Sequence, residues 1–262
     1  MSKTLVITGR GGCGKTTFVA LAAKYLHSSP LLIDADPEEN LADMVGVDLQ
    51  NEKIKTISEM LFDIKKGKIP QELKSMPVPM RIGYAFNNFC IYESAKFDLV
   101  TLGVKWTRGC YCLPNEMLRD NIPKLFDNYK YTIIDSPAGL EHINRRIISE
   151  IDGLFVILDP SIKSFKNVER IIQLAKNIDI KFNHLYLVAN YRFQEETEKH
   201  ISELAQNQNK FGSGFKGNYL GKIEYDPKVE EYNLKGKSLL ELPEDSKAYQ
   251  SMKELLVKTG YK

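Results

Sequence analysis

The chain begins with a glycine-rich segment, Gly9-Arg10-Gly11-Gly12-Cys13-Gly14-Lys15-Thr16, between an apolar run at residues 4–8 and a stretch of helical spacing at residues 17–26. A glycine-rich turn between a strand and a helix aims backbone N–H groups at an anion, and the helix N-terminus adds its partial positive charge. In this pattern Lys15 reaches the β- and γ-phosphates and the Thr16 hydroxyl binds Mg²⁺. The sequence therefore predicts a site for a nucleoside triphosphate. The residues expected to contact the nucleotide are Gly11, Gly12, Cys13, Gly14, Lys15, Thr16 and Thr17.

The composition limits the other functions that the chain could have. Its 262 residues include 36 basic and 34 acidic side chains, and a formal net charge of +2 gives no electrostatic signature of nucleic-acid binding. We find no secretory leader and no apolar run as long as a membrane span. Four cysteines are too few for a disulfide scaffold in a chain of this size. We therefore expect a cytoplasmic protein that binds neither nucleic acid nor membrane.

Apolar runs alternate with helical patterns along the whole chain, which is typical of a mostly parallel sheet. After the first strand, the candidate strands are residues 31–33, 97–102, 131–134, 154–158 and 185–188. The helical patterns cover residues 114–127, 141–150, 164–177, 195–206 and 245–258. The predicted fold class is α/β: a single-domain P-loop NTPase over residues 1–262, with a doubly wound, mostly parallel sheet and helices on both faces. Residues 48–96, interrupted by prolines, are expected to form a surface excursion of the same domain.

Polar residues at the ends of later strands complete the predicted nucleotide site. Asp34 and Asp36 leave the second strand on the same side, so that one can hold the Mg²⁺ shell through water and the other can orient the attacking water. Asp135, which ends another apolar strand, is the expected Walker B ligand of Mg²⁺. Gly139 follows it, where a γ-phosphate sensor needs a bare backbone N–H, and the Asn190 amide can pair with a purine edge.

Two cysteines, Cys110 and Cys112, precede Pro114, which suits the first turn of a helix. Thiolates two residues apart in an extended chain face the same side but supply only half of a tetrahedral site. A two-fold symmetric dimer would bring two such pairs together around one metal ion. The alternative is that the two thiols are simply small apolar residues.

These motifs resemble the MinD/ParA group of dimeric P-loop ATPases, which includes the nitrogenase iron protein. The resemblance rests on the glycine-rich loop, the Asp34-x-Asp36 segment and the Asp-Ser-Pro-Ala-Gly segment at residues 135–139, and it covers nearly the whole chain. It implies an ATPase that binds ATP, ADP and Mg²⁺ and works as a homodimer. In that group a lysine early in the loop reaches the partner's nucleotide, and Arg10 occupies its position here. The resemblance also implies that Asp226 lies over the base.

Within this group, Gly109-Cys110-Tyr111-Cys112 and residues 138–146 are similar to the CooC-type ATPases, which assist nickel insertion into carbon monoxide dehydrogenase, and to the related AcsF-type proteins of acetyl-CoA synthase. Ser136-Pro137 looks more like the MinD branch. The resemblance implies a nickel metallochaperone in which Asp36, Lys15 and Arg10 serve hydrolysis and Cys110 and Cys112 share Ni²⁺ or Zn²⁺ across the dimer. Three alternatives keep the ATPase: a MinD-like positioning protein, a ParA-like DNA partitioner and an iron–sulfur reductase.

Overall fold

A computed structural model describes residues 2–103, 124–137, 150–177, 180–206 and 217–262. Eight strands in these ranges form one sheet, in which only the edge strand β3 runs antiparallel to its neighbour. The order across the sheet is β3-β4-β2-β5-β1-β6-β7-β8. The strands are β1 (Lys3–Gly9), β2 (Leu31–Asp34), β3 (Ile91–Glu93), β4 (Asp98–Thr101), β5 (Tyr131–Asp135), β6 (Glu150–Leu158), β7 (Lys181–Ala189) and β8 (Gly217–Lys222).

Helices cover both faces of this sheet. In the described ranges they are α1 (Lys15–Tyr25), α2 (Asn40–Val45), α3 (Ile57–Lys66), α4 (Gln71–Lys74), α5 (Val78–Phe89), α6 (Ile162–Asn177), α7 (Glu195–Gln206), α8 (Pro227–Leu234) and α9 (Lys247–Thr259). Successive side chains of a strand point to opposite faces. Val6 therefore belongs to the hydrophobic layer that includes residues of α3, α5, α6 and α7, whereas Leu5 and Ile7 belong to the layer that includes residues of α1, α2 and α9. Two hydrophobic layers result, which confirms the predicted doubly wound α/β fold.

The structure corrects the sequence interpretation in two places. Residues 48–96 contribute to the core instead of lying over the surface, because α3, α4 and α5 bury Met60, Leu73 and Phe86 against the sheet. The prolines of this segment begin helices: Pro70 and Pro77 are the N-cap residues of α4 and α5. At the end of the helical pattern proposed for residues 141–150, Glu150 already belongs to β6.

The parallel strands bring the predicted site residues to one edge of the sheet. The glycine-rich loop follows β1, residues 34–41 follow β2, and Asp135 ends β5. Asn190 follows β7, and Asp226 comes shortly after β8. Ligands of open α/β sheets bind outside the carboxyl ends of the strands, and all these residues lie there.

Candidate nucleotide site

The glycines give the phosphate loop its conformation. Gly12 and Gly14 have φ angles of 71° and 98°, in the left-handed region that side chains disfavour. Gly9 faces β6, where an added Cβ would collide with the carbonyl oxygen of Ile157. Cys13 is buried, and burial raises the pKa of its thiol to about 11, so that it stays protonated and packs as a small apolar residue. The loop therefore reaches α1 in a conformation in which its backbone N–H groups can face an anion.

Lys15, near the end of this loop, lies close to the carboxylate of Asp36. The Lys15 Nζ lies 3.4 Å from the carbonyl oxygen of Arg10 and 3.9 Å from Asp36 Oδ2. The lysine side chain is only 7% exposed, so its ammonium group is directed along the loop and not into solvent. The phosphates of a triphosphate bound to the loop would interact with this buried ammonium group. The Asp36 carboxylate lies beside the same ammonium group, where it could orient a water molecule.

Asp135 provides a buried carboxylate suited to the Mg²⁺ of the nucleotide. Its side chain is fully buried, and neither oxygen has a hydrogen bond of ordinary geometry from the described part of the chain. Burial raises its pKa to about 6, while the Thr16 hydroxyl and the Lys15 ammonium lower it. A buried carboxylate with unsatisfied oxygens beside a hydroxyl is the oxygen donor set that Mg²⁺ prefers. Thr16 and Asp135 therefore fit the predicted Mg²⁺ ligands.

Asp34 lies next to Asp135 on the neighbouring strand and has a different environment. Its two carboxylate oxygens accept backbone N–H groups of Asp36 and Leu41, each at 3.0 Å. Burial, with a smaller contribution from the Asp135 carboxylate, raises the pKa of Asp34 to about 7, against the lowering effect of the two backbone hydrogen bonds. The sequence left open which aspartate of the Asp-x-Asp pair serves water or Mg²⁺. Asp34 is engaged by the backbone, which leaves Asp36 facing Lys15.

Arg10 is held within its own chain in this structure. Its guanidinium donates to Asp159 Oδ2 at 3.1 Å and to the Ser161 hydroxyl at 3.0 Å, just beyond the end of β6. The arginine side chain remains 37% exposed, so it lies at the surface near the phosphate loop. The cross-subunit role of Arg10 stays a prediction, and it would require the guanidinium to exchange these partners for phosphate oxygens.

A cleft of about 220 Å³ continues from the phosphate loop toward β8. The residues that line it include Gly12, Gly14, Phe18 and Asn190. The Asn190 amide donates to the Cys13 carbonyl at 3.4 Å and accepts the N–H of Arg192 at 3.1 Å. The cleft thus places a buried amide, apolar side chains and the loop around one space, as the base and sugar of a nucleotide require.

Asp226 lines the same cleft, but its carboxylate is committed to the fold. It accepts the N–H of Lys228 at 2.9 Å, capping α8, and the Ser246 hydroxyl at 2.6 Å. Burial works to raise the pKa of Asp226, but these hydrogen bonds prevail and lower it. Any contact of this residue with a base would therefore use its backbone.

Three predicted site residues, Gly139, Cys110 and Cys112, lie outside the described residues. Within the described ranges no group of three or more His, Cys, Asp or Glu side chains forms a candidate metal site. Cys90 is free and fully buried, as expected for a packing residue. None of the described helices has the length and apolar content needed to cross a bilayer.

Sequence reasoning missed several residues that the structure brings to the site. Asp159 follows the apolar end of β6, the same pattern that identified Asp135, so this signal was present. Tyr191 and Tyr225 line the base cleft with ring centroids 5.4 Å apart, and both rings are nearly half exposed. In the sequence Tyr191 directly follows Asn190, and Tyr225 directly precedes Asp226. That the two rings lie together in the cleft follows only from the pairing of β7 with β8.

The phosphate loop, the acidic strand ends and the adjoining cleft are characteristic of P-loop ATPases, and this chain has that fold and activity class. Residues 2–186 match the family model AAA_31, described as an AAA domain, so the chain belongs to this family.

Comparison with individual proteins supports this assignment. An uncharacterized ATP-binding protein of Methanocaldococcus jannaschii, MJ0685, is 33% identical over 97% of each chain. The carbon monoxide dehydrogenase accessory protein CooC of Rhodospirillum rubrum is 28% identical over 68% of this chain and 70% of its own length. The septum site-determining protein MinD of Pyrococcus horikoshii, solved with Mg-ADP, shares the fold with a TM-score of 0.65. It is 20% identical and covers 99% of this chain and 96% of its own.

Proposed function

We propose that this ATPase is a cytoplasmic nickel metallochaperone that matures carbon monoxide dehydrogenase or acetyl-CoA synthase. The cysteine pair carries the proposal, because Cys110 and Cys112 add a soft metal-binding motif to a P-loop ATPase. The similarity to CooC, a carbon monoxide dehydrogenase accessory protein, agrees with that assignment. The chain acts as a homodimer of single-domain subunits, with no membrane or nucleic acid as partner.

We assign one set of residues to ATP binding and hydrolysis and another to binding the metal cargo. Lys15 and the loop N–H groups bind the phosphates, and Asn190, Gly139 and Asp226 contact the nucleotide around them. Asp36 orients water for attack on the γ-phosphate, and Arg10 leaves Asp159 to contact the partner subunit's nucleotide. Mg²⁺, held by Thr16 and Asp135, would neutralise phosphate charge.

The cargo site uses both subunits. Two thiolates from each chain would give Ni²⁺, with Zn²⁺ as the competing ion, four sulfur ligands at the two-fold axis. Hydrolysis would release the segments that follow β2 and β5, separate the two cysteine pairs and lower the affinity for the metal. A site divided between two subunits is suited to delivery, because separating the subunits dismantles it.

Equilibrium dialysis of Ni²⁺ against reduced apo-protein with a non-hydrolysable ATP analogue, without oxygen, tests the proposal. We expect about one tightly bound ion per two chains, as four thiolates at a two-fold interface require. A Cys110→Ala/Cys112→Ala variant should lose this binding. Cys90→Ala is the matched control, because Cys90 is a free thiol buried in the core, and it should retain the wild-type stoichiometry.

Three other outcomes of these measurements would contradict the proposal. Nickel binding that persists in the double variant would contradict the cysteine site. Absence of nickel binding in the wild type would leave a positioning ATPase of the MinD kind, to be tested by sedimentation with anionic vesicles in ATP. A brown, oxygen-sensitive protein would instead indicate an iron–sulfur reductase.

A further inference from the structure

The side chain of Asp34 joins the two ends of the loop between β2 and α2. One carboxylate oxygen accepts the N–H of Asp36 and the other accepts the N–H of Leu41, both at 3.0 Å. The carboxylate is fully buried, so water does not compete for these two hydrogen bonds. Residues 36–41 are therefore closed into a loop around a single buried carboxyl group.

The backbone around Asp34 is equally fixed. Its carbonyl oxygen accepts the N–H of Leu102 at 2.8 Å, and the next N–H, that of Ala35, donates to the carbonyl of Asp135 at 2.9 Å. These bonds tie Asp34 to the strands on both sides of β2. The carboxylate is consequently a rigid anchor, to which the loop is attached.

The loop of residues 36–41 includes an unfavourable backbone conformation, which must be stabilised by contacts with the rest of the protein. Glu39, which precedes α2, has a φ angle of 55°, a left-handed conformation that non-glycine residues rarely adopt. The same loop carries Asp36, whose Oδ2 lies 3.9 Å from Lys15 Nζ and whose Oδ1 accepts the N–H of Glu38 at 3.1 Å. Strained backbone beside a reacting group persists only when its surroundings hold it.

We infer that Asp34 is a positioning residue for ATP hydrolysis: its carboxylate fixes residues 36–41 and so sets the orientation of the Asp36 carboxylate. It takes no part in binding Mg²⁺ and receives no proton from the attacking water. The two aspartates of the Asp-x-Asp segment thus have different roles, one as an anchor within the protein and the other facing the nucleotide.

Asp34→Asn tests this role, because an amide oxygen accepts only one of the two N–H groups and the NH₂ group opposes the other. We expect kcat for ATP hydrolysis to fall about tenfold or more, as loss of a buried hydrogen bond implies. The Mg²⁺ concentration at half-maximal rate and the affinity for ADP should stay at wild-type values. Hydrogen exchange at the amides of Asp36 and Leu41 should accelerate, while that of β1 should not.

Thr101→Val is the matched control. Thr101 is paired with Asp34 in the β2–β4 register and is buried, and its hydroxyl has no hydrogen-bond partner in the described ranges. This isosteric change should leave kcat and the two amides as in the wild type.

Two results would overturn the inference. One is a wild-type kcat in Asp34→Asn, and the other is a reduced rate that high Mg²⁺ restores, which would make Asp34 part of the metal shell. If Asp34→Asn does not fold, Asp34→Ser, which is smaller, replaces it. Wild-type protein supplies an independent test, since fast exchange of the Asp36 and Leu41 amides would contradict a buried anchor.

Discussion

Asp36→Asn is expected to abolish steady-state ATP hydrolysis and to leave Mg–ATP binding close to that of the wild type. One oxygen of the Asp36 carboxylate faces Lys15 of the phosphate loop, and the other oxygen accepts a hydrogen bond from the N–H of Glu38. The amide keeps the shape of the side chain but neither attracts a proton from water nor carries charge. A group with this role contributes about 100-fold or more to the rate.

Single-turnover hydrolysis of radiolabelled ATP measures the chemical step, and calorimetric titration measures the affinity. The matched control is Glu38→Gln, which removes a charge from the same loop at an exposed position. It should hydrolyse ATP at the wild-type rate. Unimpaired hydrolysis in Asp36→Asn would show that Asp36 does not orient the attacking water and that another group has this role.

The second large effect is expected for Lys15→Gln, which should weaken ATP binding about 100-fold or more, as removing one member of a buried charge pair does. The Lys15 side chain is 7% exposed, and its ammonium group lies 3.4 Å from the Arg10 carbonyl oxygen and 3.9 Å from Asp36 Oδ2. The glutamine offers the N–H donors of its NH₂ group but no charge to the β- and γ-phosphates.

Fluorescence titration with a labelled ATP analogue measures this loss directly. Lys24→Gln makes the same substitution in α1, at a lysine that pairs with Glu244 and lies over the ring of Tyr249. It should change stability without changing the affinity for ATP. Equal affinities for wild type and Lys15→Gln would mean that the loop binds no triphosphate in the expected manner.

Local patterns predicted most of the nucleotide site, because each of its motifs is contiguous in sequence. The loop at residues 9–16 and Asp135 required only the neighbouring strand and helix to be recognised. Two strands were missed because neither is an apolar run: β3 has three residues at the sheet edge, and β8 carries two glycines and a lysine. Their place in the sheet is set by pairing with β4 and β7.

Contacts between distant segments could not be predicted in the same way. Arg10 and Asp159 are 149 positions apart, and no pattern in either segment specifies the other. Asp34 and Asp36 are chemically identical in sequence, and only the backbone N–H groups that reach Asp34 distinguish them. Similarly, the burial of Leu73 and Phe86 depends on how three short helices fold onto the sheet.

Nucleotide-dependent nickel affinity is the central claim of the proposed cycle, and dialysis of Asp36→Asn protein with Ni²⁺ tests it most directly. The variant should hold intact ATP, so the same protein can be compared with ATP and with ADP. We expect nickel to bind at least about fivefold more tightly with ATP, the lower range of coupling between two sites. Equal nickel affinity with the two nucleotides would contradict a metallochaperone that ATP hydrolysis drives.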